Sequence, residues 1–216
     1  MELSVVLPVK NEPKLNAFID DLNFTLQNYD YEIVVVMGDK ETLHPALTPR
    51  ETVKVYMSYA DSLERAILLG LSVSQGEKII VMDADGSHPI DHISQMYRLL
   101  DEYEMVAATR FFTKQKVNNT VFRSISSYAF SFMAKLMGTA LNDPMTGYFG
   151  IQKDILKKVK FKPYTWKVAL EIDIKAKPLL YNFPIIFGER NAGESKATVK
   201  IGMKLIKDMT SELFFK

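Results

Sequence analysis

Two aspartates one residue apart, Asp83 and Asp85, directly follow an apolar run in the segment VMDADGSHP. Acids at positions i and i+2 of an extended chain point to the same side, which suits a single hard divalent cation such as Mg2+ or Mn2+. Enzymes that act on diphosphates use such a cation to neutralise phosphate charge. The alternative is structural, because aspartate side chains commonly close turns or cap helices.

A second polar segment, Pro8 to Glu12 (PVKNE), follows the first apolar run of the chain. Its polar groups could hold a nucleotide, and the alternative is a loop that caps a helix with Pro13 in its first turn. Neither Gly-x-Gly-x-x-Gly nor Gly-x-x-x-x-Gly-Lys-Ser/Thr follows a strand, so dinucleotide-binding and P-loop interpretations lack their main support.

A third candidate is the loop ERNAGESK, in which Arg190 and Lys196 stand on either side of Gly193 with Ser195. Cations in such a loop could cradle a phosphate, the arginine by forked contacts and the lysine as a point charge. A solvated surface turn is the alternative.

Three histidines, His44, His88 and His92, are too scattered for a catalytic triad or a zinc site. His88 and His92 stand four residues apart beside the acids. A metal-binding role for that pair is therefore a minor alternative.

The elements that must position these residues alternate between strands and helices. Strands are predicted over 3–9, 31–37, 52–57, 77–83 and 104–110, and helices over 14–27, 61–73 and 91–102, the last with Asp91 as N-cap. This rhythm predicts an α/β fold with a mostly parallel, Rossmann-like sheet and helices on both faces. Because ligands bind at the carboxyl ends of parallel strands, we expect 8–12, 38–39, 83–87 and Arg110 to share one edge.

Beyond residue 110 the pattern changes to a polar loop over 111–119 and an apolar helix over 120–138. A turn, NDPMTGYFG, a helix over 165–176 and a strand, NFPIIF, precede the ERNAGESK loop. We predict one domain over 1–197 and a basic amphipathic helix over 198–216, in which Lys200, Lys204 and Lys207 recur at helical spacing. Both the apolar and the basic helix favour a membrane surface; their alternatives are a dimer interface and simple packing on the sheet.

Composition excludes several classes of protein. The formal net charge is +1, so a nucleic-acid partner is not indicated, and the absence of cysteine excludes disulfides, thiolate metal sites and a cysteine nucleophile and fits a reducing compartment. The start, MELSVVLPVKNE, is not typical of a signal peptide, and no apolar run reaches the length of a membrane span. The sequence does not define an oligomeric state.

Taken in order, PVKNE, DADGSHP, DPMTGYF and FGERNAGESK resemble the family 2 glycosyltransferases, most closely the dolichyl-phosphate mannose synthases and their glucose relatives. The resemblance implies a GT-A fold in which Asp83 and Asp85 surround Mg2+ or Mn2+. It further implies these site residues: Pro8, Asn11, Glu12, Asp39 and Asp83 for the donor nucleotide; Arg110, Arg123, Ser127, Arg190 and Lys196 for an acceptor phosphate; and Asp143 near the transferred sugar. Asp85, Asp143, Arg110, Arg123 and Arg190 would be the catalytic set.

The resemblance implies an inverting, metal-dependent transfer of a hexose, foremost mannose from GDP-mannose, to dolichyl or polyprenyl phosphate by a peripheral protein on the cytoplasmic face of a membrane. The alternatives are a UDP-glucose donor, a non-lipid acceptor and an inactive sugar-nucleotide-binding module. Three departures from the family pattern leave the donor and acceptor open. Ser87 replaces the usual Gln, so its link to the metal would run through water, and MGDK and FFTKQKV replace the usual loops after two strands.

Overall fold

A computed structural model describes residues 1–10, 12–38, 47–58, 62–109, 130–161 and 167–186. Its strands are β1 (Leu3–Val9), β2 (Tyr31–Met37), β3 (Val53–Met57), β4 (Lys78–Val81), β5 (Met105–Thr109), β6 (Phe149–Gln152) and β7 (Leu180–Pro184). The α-helices are α1 (Leu15–Leu26), α2 (Leu63–Val73), α3 (Ile93–Leu99), α4 (130–136 in the described part) and α5 (Val168–Ala176). Short 3-10 helices cover Ile90–His92 and Lys153–Lys158.

The seven strands form one sheet in the order β3-β2-β1-β4-β6-β5-β7. All neighbouring pairs are parallel except those of β6, which runs antiparallel to both β4 and β5. The chain turns from β1 to β2 on one side and reaches β4 on the other, so β1 and β4 flank the point where the strand order reverses. The predicted mostly parallel sheet is confirmed, and the carboxyl ends of β1, β2, β4 and β5 share one edge.

Two apolar layers cover the sheet. Leu3, Val5 and Leu7 of β1 face the layer formed with α1 and α3, whereas Val6 faces the layer formed with α2, α4 and α5. This alternation explains the continuous apolar runs of the central strands, since both faces are buried. Helix α2 lies so close to β1 that a Cβ added to Gly70 would stand 2.3 Å from Val6 Cγ1. None of the described helices is long and apolar enough to span a bilayer.

Most predicted elements are confirmed, β1 and β2 to the residue, but three predictions are wrong. The unpredicted strand β6 begins at Phe149, within the predicted turn NDPMTGYFG, and continues to Gln152. Asp91 is not a helix N-cap, because it lies in a 3-10 helix and α3 begins only after His92. The last strand begins at Leu180 rather than 182 and ends at Pro184, as suits an edge strand whose final residue lacks an N–H donor.

Several predictions concern residues outside the described ranges. These are the polar loop 111–119, the first half of the helix 120–138, the whole loop ERNAGESK and the basic helix 198–216. The domain boundary at residue 197 therefore stays a prediction.

A buried carboxylate joins the amino ends of β1 and β2 to the chain after α2. Glu32 is 1% exposed. Its Oε1 accepts hydrogen bonds from Ser4 Oγ (2.6 Å) and from the Gln75 N–H (2.5 Å), and Lys54 Nζ lies 2.7 Å from Oε2. Burial alone would raise the pKa of Glu32, but these hydrogen bonds and the Lys54 charge together lower it.

We expect Glu32→Gln to lower the free energy of unfolding at neutral pH by about 1–3 kcal/mol. The neutral amide no longer pairs with the Lys54 charge and is a weaker acceptor for Ser4 and Gln75. A carboxyl group whose pKa is lower in the folded than in the unfolded protein stabilises the fold at pH values above its unfolded-state pKa, near 4.5. This contribution is lost as the pH falls through the folded-state pKa. The difference in the free energy of unfolding between wild type and Glu32→Gln should therefore become smaller in acid. Urea unfolding at several pH values tests this, with the exposed Glu51→Gln as control; a gap that widens in acid would contradict it.

Candidate functional site

The acidic turn, residues 83–88, begins where β4 leaves the sheet. The Met82 N–H still donates to the Val6 carbonyl (3.1 Å), but the Asp83 N–H donates to Nδ1 of His88 (2.8 Å). Gly86 has φ of 80°, a left-handed conformation that reverses the chain at little steric cost for glycine. The turn therefore closes on itself instead of extending the strand.

Within this turn Asp85 and Ser87 form a local pair. Oδ1 of Asp85 accepts from both the N–H (2.9 Å) and the hydroxyl (2.5 Å) of Ser87. Ser87 is 3% exposed, whereas the Asp83 side chain is 30% exposed. Asp85 thus does close the turn, as the structural alternative predicted.

His88 is buried beneath the turn. Its ring stacks on Tyr148, with ring centroids 4.9 Å apart and planes 14° apart. Because Nδ1 accepts a hydrogen bond, the ring proton of the neutral imidazole is on Nε2, which lies 3.8 Å from Asp83 Oδ2. The His92 ring instead contacts Phe183 edge-on. This arrangement does not favour the alternative in which both histidines bind a metal, and His44 lies outside the described residues.

The segment that carries Asp143 runs beside the acidic turn. Asp143 is 2% exposed, and its Oδ1 accepts from the Met145 N–H (3.1 Å). A Cβ added to Gly147 would stand 3.8 Å from Asp83 Oδ2 and 3.7 Å from His88 Cε1. The structure therefore brings the segments of Asp83, Asp85 and Asp143 together at the carboxyl edge, and Gly147 leaves one flank of the Asp83 carboxylate without a side chain.

Two polar residues that the sequence analysis did not single out anchor this segment. Asp173 of α5, 3% exposed, accepts from the Thr139 hydroxyl and the Ala140 N–H (2.8 Å). Asn182 of β7 accepts from the Asn142 N–H (2.8 Å) and donates to the Ala140 carbonyl (3.0 Å). An acid within the apolar run VALEIDIKA was the available signal for Asp173, whereas nothing in the sequence distinguishes Asn182.

Pro8 and Glu12 occupy the other side of the candidate site. Pro8 lies in β1 two residues beyond Val6, the last residue that pairs with β4. The absence of an N–H at Pro8 therefore costs no hydrogen bond to β4. Pro13 is not in the first turn of a helix as the alternative expected, because α1 starts at Leu15 after Lys14. A cavity of about 180 Å³ is lined by Glu12, Pro13, Lys14, Ala17, Phe18, Asp21 and Ala84. Glu12 and the acidic turn therefore border one cavity.

The remaining predicted site residues lie outside the described ranges: Asn11, Asp39, Arg110, Arg123, Ser127, Arg190 and Lys196. Their contacts and roles stay predictions.

The donor set of the acidic turn fits a hard cation. Asp83 and Asp85 offer carboxylate oxygens, the ligand type that Mg2+ and Mn2+ prefer, and phosphate oxygens and water commonly complete such sites. Among the described residues no group of three or more His, Cys, Asp and Glu side chains could hold a metal by itself. A cation here would therefore take most of its ligands from a bound phosphate compound and from water.

Comparison with known proteins identifies the family. The model of Glycosyl transferase family 2 matches residues 4–160. The chain is 30% identical over 208 residues to the dolichol-phosphate mannosyltransferase of Pyrococcus furiosus, covering 91% of this chain and 59% of that protein. It is 28% identical over 166 residues to the dolichol-phosphate mannosyltransferase of Saccharomyces cerevisiae, covering 71% of this chain and 61% of that protein. The chain thus spans about three fifths of the length of these two relatives.

Solved structures share the fold. Glucosyl-3-phosphoglycerate synthase from Mycobacterium tuberculosis, in complex with Mn2+ and UDP-glucose, superposes with a TM-score of 0.70 at 16% identity, covering 97% of this chain and 78% of that one. The mannosyltransferase PcManGT from Pyrobaculum calidifontis, in complex with GDP-mannose and Mn2+, gives 0.61 at 14% identity, covering 100% of this chain and 64% of that one. These similarities confirm the predicted GT-A fold. With the family model matching well over half of its length, the chain belongs to glycosyl transferase family 2.

Proposed function

We propose that this protein is an inverting, metal-dependent glycosyltransferase that moves a hexose, foremost mannose from GDP-mannose, to dolichyl or polyprenyl phosphate. One observation carries the proposal: the acidic turn and the segment of Asp143 lie side by side at the carboxyl edge, where Gly147 passes next to the Asp83 carboxylate. The similarity to dolichol-phosphate mannosyltransferases over most of the chain supports this donor and this acceptor.

Asp83 and Asp85 would hold Mg2+ or Mn2+, which when bound supplies positive charge to the departing diphosphate. Two fold neighbours were solved with Mn2+ and a nucleotide sugar, which supports a divalent cation here. Ser87 positions Asp85 through its hydroxyl, and any link from Ser87 to the cation would run through water.

The reaction requires orientation more than proton transfer. The second pKa of a phosphate monoester is about 6, so the acceptor oxygen is already anionic near neutral pH. This oxygen forms a bond to the anomeric carbon from one face, while the bond from that carbon to the donor diphosphate breaks on the other face and its electron pair leaves with the diphosphate. Configuration is therefore inverted. The task of the protein is to hold two repelling anions in line.

The other predicted residues are assigned around this reaction. Pro8, Asn11, Glu12 and Asp39 would contact the nucleotide; Arg110, Arg123, Ser127, Arg190 and Lys196 would contact the acceptor phosphate; Asp143 would contact the sugar. The cavity beside Glu12, about 180 Å³, is smaller than a site for a whole ligand, which typically starts at about 300 Å³. It would accommodate one part of the donor.

Helix α4 supports binding to a membrane surface. Phe132 and Leu136, one turn apart, are 64% and 61% exposed, and the exposed Lys135 lies between them in sequence, while Phe130 and Ala134 face the core. Aromatic and aliphatic side chains with a nearby cation suit the headgroup region of an anionic bilayer. We therefore propose that the protein binds a membrane peripherally, where a lipid phosphate would be presented, and we keep the cytoplasmic face as a prediction from the sequence.

Transfer of labelled hexose into the organic phase, with GDP-mannose and UDP-glucose supplied separately together with dolichyl phosphate and Mg2+ or Mn2+, tests the reaction. We expect lipid-linked product, and we expect Asp85→Asn to lower the rate about a hundredfold or more because the diphosphate loses its cation. Asp154→Asn, whose side chain is 81% exposed and paired with Lys157, is the matched control and should stay active. Donor binding without transfer to any acceptor would instead indicate an inactive binding module, and transfer to a water-soluble acceptor alone would rule out the lipid.

Gly147 provides a second test. Because Gly86 and Gly138 are the described glycines with positive φ, Gly147→Ala meets no backbone strain, and its Cβ would have ordinary contacts. The larger Gly147→Leu places a side chain against the Asp83 carboxylate and should lower transfer about tenfold to a hundredfold. Thermal unfolding of both variants should stay near wild type because Gly147 is partly exposed. Full activity of Gly147→Leu would be inconsistent with a reacting site beside Asp83.

Vesicle flotation tests the membrane surface. The double variant Phe132→Ser, Leu136→Ser should bind anionic vesicles about tenfold more weakly or worse, since each side chain buries apolar area in the headgroup region. Phe24→Ser on α1 is the matched control, because Phe24 is 75% exposed but lies on the opposite side of the sheet.

The triple variant Lys200→Glu, Lys204→Glu, Lys207→Glu should remove the salt-sensitive part of binding. Unchanged flotation together with loss of a dimer on size-exclusion chromatography would favour a dimer interface.

A further inference from the structure

The imidazole of His88 contacts a single aspartate in two ways. The ring is 3% exposed, its Nδ1 accepts from the backbone N–H of Asp83 at 2.8 Å, and its Nε2 lies 3.8 Å from Oδ2 of the same residue. His88 therefore fixes the backbone of Asp83 by a hydrogen bond and places its second nitrogen close enough to the Asp83 carboxylate to act on it electrostatically.

The hydrogen bond at Nδ1 also decides what His88 can do chemically. A nitrogen that accepts from an N–H has no lone pair left for a metal, and the other nitrogen of the neutral ring carries the proton. His88 is therefore arranged to hold Asp83 rather than to bind a cation itself. The N–H at Nε2 belongs to an uncharged ring and lies near the Asp83 carboxylate. It polarises that carboxylate without cancelling its charge.

One face of the imidazole ring lies against Tyr148. Tyr148 stacks on His88, and its hydroxyl donates to the Pro89 carbonyl (3.1 Å). Burial, with a contribution from Asp91, raises the pKa of Tyr148, so the phenol stays neutral and remains a donor. The Tyr148 carbonyl accepts from the Ala108 N–H of β5 (2.9 Å), which ties Tyr148 to the sheet. His88 is thus held between Asp83 and the sheet.

We propose that His88 is a positioning residue that sets the Asp83 carboxylate for the cation without being a ligand. The inference rests on the proposed metal-dependent function and deepens it. Partners of metal ligands typically change metal affinity about 10- to 100-fold when they are removed. His88→Leu removes the hydrogen-bond acceptor and puts an apolar side chain in its place. It should therefore reduce the effect of the cation on nucleotide affinity by about tenfold or more.

Calorimetric titration with GDP and with UDP, each with and without Mn2+, separates this role from a structural one. In the wild type we expect Mn2+ to tighten nucleotide binding. His88→Leu should reduce that tightening about tenfold or more and leave the metal-free affinity unchanged. His88→Asn should restore it to within about threefold, because its Oδ1 is bonded to Cγ, as Nδ1 is in histidine, and can accept from the Asp83 N–H.

One control and two possible outcomes fix the interpretation. Leu26→Ala empties a fully buried position at the far end of α1, so it should lower thermal stability without changing the Mn2+ effect. A wild type in which Mn2+ has no effect on either nucleotide would overturn the metal-dependent function and this inference with it. A wild type that responds to Mn2+, with His88→Leu responding equally or His88→Asn no better than His88→Leu, would overturn the positioning role alone.

Discussion

The carboxyl edge of the sheet depends on one hydrogen bond, from the Asp83 N–H to Nδ1 of His88. A strand that leaves a sheet must find a new partner for its backbone N–H, because an unmade bond of this kind at a buried position is costly. Here an imidazole replaces the neighbouring strand. The replacement turns the chain just where the two aspartates begin, so both carboxylates belong to a closed turn and not to a fraying strand end.

The same method of support recurs along the segment of Asp143. Its backbone is held by Asp173 from α5 and by Asn182 from β7, and Asp143 itself accepts from the Met145 N–H. Ser87 donates its N–H and hydroxyl to Asp85, and Met145 donates its N–H to Asp143, so neutral groups help to fix the position of both carboxylates. Elements that are distant in sequence therefore hold the segment of Asp143, whereas Asp83 and Asp85 are held by residues of their own turn.

Sequence periodicity was sufficient for the strands that lie in continuous apolar runs, and hence for the edge where the acids meet. It failed for β6, because four residues that include Gly150 have no clear pattern of their own; that strand forms since β4 and β5 offer it partners on both sides. A Cβ added to Gly150 would stand 2.9 Å from Leu100 Cδ1, so the glycine serves tertiary packing. His88 was recognisable only as a residue near acids, since its tautomer depends on the geometry of the turn and its stacking on Tyr148, which is distant in sequence.

Charge is used differently at the two edges of the sheet. At the amino edge, carboxylates pair with cations: Glu32 with Lys54, Asp101 with Lys78, and Asp30 with the amino terminus. The exposed pairs contribute little to stability, but in each of the three the carboxylate already faces a cation of the protein. At the carboxyl edge, the acidic turn is built with glycine, serine and a neutral imidazole. Because ligands of such sheets bind at the carboxyl ends of the parallel strands, this edge is the one suited to bind a metal and a phosphate, and the amino edge can be optimised for stability without interfering.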